Sequence, residues 1–205
     1  MDASTLREAM GRALSLDRYA ELVGPCNEAM LAADCTNPNR AAMWCAQIGH
    51  ESAGLKYMEE IASGQAYEGR RDLGNTQRGD GRRFKGRGPI QLTGRHNYGL
   101  FGAWCHRRGL VDSNDYFQRN PMKVAEPRWG FLAASWYWVA ARPRLNAYSD
   151  AGNIVAATKA INGGTNGLAD RRNRWNACRP LGAALLPEKG SATGSSHQQA
   201  LLLSD

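Results

Sequence analysis

Asn37-Pro38-Asn39-Arg40-Ala41-Ala42-Met43-Trp44-Cys45-Ala46-Gln47-Ile48-Gly49-His50-Glu51-Ser52 spells out a helix in its own chemistry. Asn37 is a side-chain cap, and Pro38 takes the first helical position, where its missing N–H costs nothing. Trp44, Ile48 and Glu51 follow at helical spacing and share one face, and the helix is expected to stop near Gly54. A carboxyl at the end of an apolar stripe loses solvation, which favours its protonated form. That is what a general acid for glycosidic cleavage needs. The competing reading of the same pattern is a buried glutamate satisfied by an arginine.

The helical period extends both ways from this segment. Thr5 with Glu8 reads as a capping box ahead of Leu6, Met10 and Leu14. Tyr19, Leu22, Val23 and Met30 form a second pattern, with a break expected at Gly24-Pro25. Further helices are predicted around 94–109, from 128 to 142, from Asp150 to Ile161 before Gly163-Gly164, and from Leu168 to Cys178. Between about Ile61 and Lys85 the text turns to Gly, Arg, Asp and Asn, which reads as a loop with room for a short β-hairpin. The fold class is therefore mainly α. One domain is expected over 1–186, with 187–205, rich in Gly, Ser, Gln and Leu, as a linker or tail.

Composition narrows the function classes. A chain of 205 residues that is 42% hydrophobic can bury a core and is not a disordered polymer. No stretch approaches the roughly 18 apolar residues of a membrane span, so no membrane insertion is expected. The opening Met1-Asp-Ala-Ser-Thr-Leu-Arg-Glu8 has neither a basic nor an apolar signal region. Cys26, Cys35, Cys45, Cys105 and Cys178 form no C-x-x-C pair, so a zinc site is not expected and most read as buried thiols. Cys26 and Cys35 are near enough in sequence for one bridge. Net charge +7 suggests a polyanionic partner: nucleic acid, an acidic membrane surface or an anionic wall polymer. Most of it comes from Arg70, Arg71, Arg78, Arg82, Arg83, Lys85, Arg87 and Arg95, opposed by Asp72 and Asp80 alone. That segment is expected to border a cleft.

Further acids follow Glu51 at Glu59, Glu60 and Glu68. An inverting glycosidase needs two carboxylates roughly 6.5–9.5 Å apart with a water between them. A helix end and the loop after it can bring Glu51 and Glu60 to that separation. Adjacent Glu59 and Glu60 point opposite ways in an extended chain, so one is expected to be functional and the other solvated. In Phe84-Lys-Gly-Arg-Gly-Pro-Ile-Gln-Leu-Thr-Gly-Arg-His-Asn-Tyr98, Gly86 and Gly88 permit close backbone approach to a ligand. Gln91, Thr93 and Asn97 supply the amides and hydroxyl that a sugar's N-acetyl and hydroxyl groups require. The alternative is a basic loop for phosphate or nucleic acid, but no P-loop signature is present.

The order His50-Glu51-Ser52, Glu60, Phe84-Lys-Gly-Arg-Gly-Pro-Ile-Gln-Leu-Thr93 and Ile161-Asn-Gly-Gly164 resembles glycoside hydrolase family 19. The resemblance covers roughly residues 40–180 and implies a lysozyme-like, two-lobed helical fold with a cleft. It makes Glu51 the proton donor and Thr93 a hydroxyl that helps hold the attacking water. Gln91, Asn97 and Asn162 become substrate-binding residues, and Arg171 or Arg172 a positively charged residue tied to the catalytic carboxylates. Phage-type members place the water-activating base at Glu60, the longer plant-type loop at Glu68, and Glu60 is preferred. His50 is expected to brace the end of the Glu51 helix, and His96 to be a groove-side polar group; both are counted with Glu68 among the substrate contacts. The resemblance runs closest to the endolysins of phages infecting actinobacteria, mycobacteriophages among them.

The function expected is therefore an endolysin that cleaves β-1,4 bonds of peptidoglycan glycan strands as a monomer, with no metal or organic cofactor and no specific nucleic acid. It would wait in the host cytoplasm until a holin opens the way to the wall. Chitinase action on N-acetylglucosamine oligomers, a lytic transglycosylase and a non-catalytic wall-binding module are the rivals. Among the tryptophans, Trp129 and Trp136 share a stripe that reads as core, whereas Trp138 lies off it and is the candidate for sugar stacking.

Overall fold

The computed structural model describes residues 1–188 and is built almost wholly from helices. Most of the tail expected at 187–205 lies outside the described residues. In chain order the helices are α1 (Ala3–Ala9), α2 (Leu16–Ala32), α3 (Pro38–Glu51), α4 (Asp80–Arg83), α5 (Arg95–Arg107), α6 (Tyr116–Arg119), α7 (Pro127–Trp136), α8 (Leu145–Asp150), α9 (Ile154–Asn162) and α10 (Leu168–Cys178). Short 3-10 turns join them, and a single π turn, Tyr137–Ala141, extends α7.

The centre of the molecule is α3. Asn37 caps it by accepting from the Arg40 N–H, Pro38 opens it, and Ser52 ends it ahead of Gly54 in the left-handed region. The expected apolar stripe proves too narrow a description, since every residue from Ala41 to Gly49 is buried. Helix α3 packs against α10, α8, α1 and the 3-10 segment Arg179–Leu185, so it has no solvent face. Its small residues make this possible. A side chain at Gly49 would stand 3.2 Å from the Arg174 guanidinium and 3.4 Å from the Met10 sulfur. On the far side Trp44 meets Trp138 edge to face, centroids 5.2 Å apart.

Several local expectations are corrected. Asp2, not Thr5, caps α1, accepting from the Thr5 N–H, so Thr5 lies inside the helix. Helix α2 runs through Gly24-Pro25 without a break, because Leu22, Cys26, Ala29 and Met30 keep one buried face on both sides of the proline. The helix expected from Asp150 is two: α8 ends at Asp150, and Asn153 caps α9 by accepting from the Ala156 N–H. The loop expected between about Ile61 and Lys85 forms no hairpin; isolated bridges lie just outside it, from Arg87 to Glu59 and to Leu92. Trp138 is 1% exposed and donates its ring N–H to Asn146, so it belongs to the core and not to a sugar platform. All five cysteines are free and buried, Cys26 and Cys35 included. No helix among the described residues is long and apolar enough to cross a membrane.

Candidate active site

Glu51 stands in the last turn of α3, where the helix emerges from the core into a groove. One wall is made by the loop and first turn around Tyr67, Leu73, Gln91, Thr93 and Asn97, the other by Glu51, Tyr137 and Asn162. The Glu51 side chain is 21% exposed. Its Oε1 accepts from Arg171 Nη2, and Oε2 accepts no hydrogen bond among the described residues. One carboxyl oxygen is thus fixed while the other is free to give or take a proton. The structure decides between the two arginines: Arg171 is buried, whereas Arg172 is exposed.

Arg171 is itself held from the core side. Its Nη1 donates to Gln47 Oε1 at 2.5 Å, and Gln47 Nε2 reaches Thr158 Oγ1 at 3.4 Å. Beside this pair, His50 Nδ1 lies 2.7 Å from Asp170 Oδ2, which also accepts from Arg174 Nε at 2.8 Å. Burial raises the Asp170 carboxyl's proton affinity, but the hydrogen bonds from His50 and Arg174 outweigh it and hold the group below the ordinary aspartate value. His50 therefore fastens the end of α3 to α10, and it does not line the groove.

Glu60 is anchored behind the opposite wall. Its Oε1 accepts from the Tyr67 hydroxyl at 3.0 Å, its Oε2 from the Gly86 N–H at 3.1 Å, and its backbone N–H donates to the Gly86 carbonyl. The lack of a side chain at Gly86 is what lets these groups converge. A Cβ there would stand 2.6 Å from Gln91 Oε1 and 3.3 Å from Glu60 Oε2. The backbone of Gly88, in the left-handed region, lies against Gly130 of α7 and docks the loop there. Glu59 is partly exposed, as expected of the solvated member of the pair, but it is also ion-paired. Arg87 Nε and Lys85 Nζ bind it at 3.0 and 3.4 Å, and Arg87, nearly fully buried, also donates to the Tyr98 hydroxyl.

The neutral groups of the groove are pre-set by local hydrogen bonds. Thr93 Oγ1 donates to the Gln91 carbonyl, Asn97 Nδ2 to the Thr93 carbonyl, and Gln91 Nε2 to the Gly88 carbonyl. Asn162 shapes its own turn, accepting from the Gly164 N–H and donating to the Asn166 carbonyl. Gln91, Thr93, Asn97 and Asn162 thus meet Glu51 in one groove, as expected; Glu60 stands behind its lining and adjoins it through the hydrogen bond from Tyr67, and Glu68 and His96 do not line it. Glu68 spends both oxygens on the Gly79 and Gly81 N–H groups, at 2.7 and 2.8 Å, which hold its carboxyl below the ordinary value. His96 is exposed on the first turn of α5, with its Cβ close over Gly74. The basic segment is corrected too, since no arginine or lysine lines this groove.

No family model matches the chain. A Haemophilus influenzae protein described as a glycosyl hydrolase family 19 domain-containing protein is 27% identical over 176 residues, covering 71% of this chain and 81% of its own. An endochitinase of Arabidopsis thaliana is 36% identical over 149 residues, 69% of this chain and 47% of that protein. The chain is a glycoside hydrolase, and its homologues support family 19. It spans about half the length of the Arabidopsis endochitinases it matches. The fold agrees: a chitinase C mutant superposes with a TM-score of 0.68 at 20% identity, over 93% of this chain and 94% of that one. Chitinase C from Streptomyces griseus superposes at 0.65 and 19% identity, over 88% and 75%.

For this glycoside hydrolase, three features of the site were not read from sequence. Two are Tyr67 and Tyr137, which line the groove, where the search had fallen on tryptophans. The third is Gln47, buried behind Arg171, and its spacing of one turn from Glu51 on α3 was the available signal.

Proposed function

We propose that the chain hydrolyses β-1,4 bonds between N-acetylmuramic acid and N-acetylglucosamine in peptidoglycan, as a monomeric endolysin. The observation that carries this reading is the groove itself: one half-buried carboxyl, Glu51, facing neutral amides and a hydroxyl suited to an N-acetylated sugar. Glu51 gives its proton to the glycosidic oxygen as the C1–O bond breaks. Thr93 and its neighbours hold a water, whose proton passes to Glu60 as its oxygen bonds to C1 on the opposite face, with inversion. Arg171 keeps Glu51 in register and Tyr67 does the same for Glu60, so little reorganisation is needed when charge develops. In the cell the enzyme waits in the host cytoplasm until a holin admits it to the wall.

The second reading is a chitinase on N-acetylglucosamine oligomers, favoured by the relatives described as endochitinases. Digesting purified peptidoglycan and chitin hexamer side by side, with fragments read by mass spectrometry, separates the two. Reducing ends of muramic acid are expected. Cleavage confined to chitin, or 1,6-anhydro ends on muramic acid, overturns the proposal.

A further inference from the structure

Two hollows on this face share one wall. The 3-10 turn Gln65–Tyr67 gives Tyr67 to the groove of Glu51, while Gln65 and the next residue, Glu68, line a second hollow with Arg78, Gly79 and Arg82. A 3-10 turn rises about 2 Å per residue, so Gln65 and Tyr67 are separated by only ~4 Å along it.

Two cations of the basic segment, Arg78 and Arg82, line this second hollow. Of the segment's eight cations, five are engaged by other groups of the protein. Arg70 pairs with Asp72, Arg95 with Asp80, and Arg87 and Lys85 with Glu59, while Arg83 donates to the Gln118 carbonyl. Arg71, Arg78 and Arg82 form no ion pair among the described residues. Arg78 and Arg82 are exposed, and the one hydrogen bond between them and the protein is from Arg82 Nε to Gln65 Oε1 at 3.3 Å. Glu68 lies in the same hollow, where the Gly79 and Gly81 N–H groups take both its oxygens and the Arg82 charge helps them hold its carboxyl below the ordinary value, leaving two cations against one carboxylate.

Given the peptidoglycan reading above, on which this rests, we infer that the second hollow is a subsite for the carboxylates of a peptide carried by the glycan in the neighbouring groove. An extended peptide advances about 3.3–3.6 Å per residue, so three residues reach roughly 10 Å from a sugar in the first groove, on the scale of a wall one side chain thick. At the end of that reach two planar guanidinium groups match the fork of a carboxylate. A chitin chain has no such substituent and would leave the hollow empty. The subsite thus selects among N-acetylated glycans by what hangs from them.

The test is binding by calorimetry to the Glu51→Gln protein, which consumes nothing. Three tetrasaccharides of alternating N-acetylglucosamine and N-acetylmuramic acid are compared: with free-acid peptides, with the same peptides amidated, and with no peptide. The free-acid form is expected to bind about tenfold tighter than either other, in line with a charge-assisted hydrogen bond. Adding Arg78→Ala and Arg82→Ala is expected to erase that difference and leave the peptide-free glycan within about twofold. Equal binding of all three glycans, or a preference that survives the double substitution in a protein of unchanged melting temperature, overturns the subsite. Failure of the wild-type enzyme to cleave peptidoglycan would instead overturn the functional reading, while the carboxylate preference would still decide the subsite.

Discussion

Arg171 on α10 reaches Glu51 on α3 with one arm of its guanidinium and Gln47, a turn earlier on the same helix, with the other. The acid is thus positioned by a cation that the core holds from behind. Gln47 is neutral, so the full charge of Arg171 is directed at a single carboxylate. Glu51 is satisfied by an arginine, and it also lines the groove.

Arg171→Ala removes the buried partner of both Glu51 and Gln47. Breaking such a pair costs about 3 kcal/mol. Urea unfolding should show a loss of that order, and the folded fraction should have little activity. Unchanged stability would mean that the pair is not formed in solution.

Gln47→Ala leaves Arg171 paired to Glu51 but without its rear support. Leaving a buried donor unsatisfied costs about 1–3 kcal/mol. Activity should fall through kcat with KM nearly unchanged, because Gln47 touches no substrate. A change in KM alone would contradict its role in holding the acid.

Glu68 separates from Glu60 by both activity and pH. Glu60→Gln should reduce hydrolysis by two orders of magnitude or more, as expected for a general base, roughly 10²–10⁴. Glu68→Gln should leave substantial activity but lower the melting temperature at pH 7. Hydrogen bonds from Gly79 and Gly81 lower the folded-state value of Glu68, so its contribution to stability is present above the ordinary glutamate value. The difference between wild type and Glu68→Gln should therefore shrink as pH falls through and below about 4.3. A difference that grows on acidification would contradict the assigned hydrogen bonds, and a larger activity loss at Glu68 would reverse the choice of base.

The five thiols should be inert in the native protein. Burial pushes Cys26 up to about 12 and raises Cys105 further, which leaves almost no thiolate at neutral pH. A thiol reagent should label none of them at pH 7 and all five in denaturant. Rapid labelling without denaturant would show that the core opens.

Much of this was legible in the sequence because it is written locally. Asn37-Pro38 fixes the start of α3, Leu168–Cys178 has the bounds expected for α10, and Gly163 stops α9. What was not legible depends on long-range partners. Nothing near Pro25 says that burial of its neighbours will carry α2 through it. Nothing near Trp138 says that Trp44 and Asn146 will take it into the core. The choice of Arg171 over Arg172 depends on which face of α10 meets α3. The arginines of the loop looked like a charged rim to the cleft, but Asp72, Asp80 and Glu59 neutralise several of them, and Arg78 and Arg82 face the adjoining hollow.

The central claim is that Glu51 donates the proton in glycan hydrolysis, and it is tested most directly by Glu51→Gln on purified peptidoglycan. Wild type should release fragments ending in reducing muramic acid, with the anomer first formed inverted by NMR. Glu51→Gln, folded by circular dichroism and bound to the glycan, should release them at least a hundredfold more slowly, the lower end of general acid catalysis at about 10². Release at the wild-type rate by the folded variant would contradict the account.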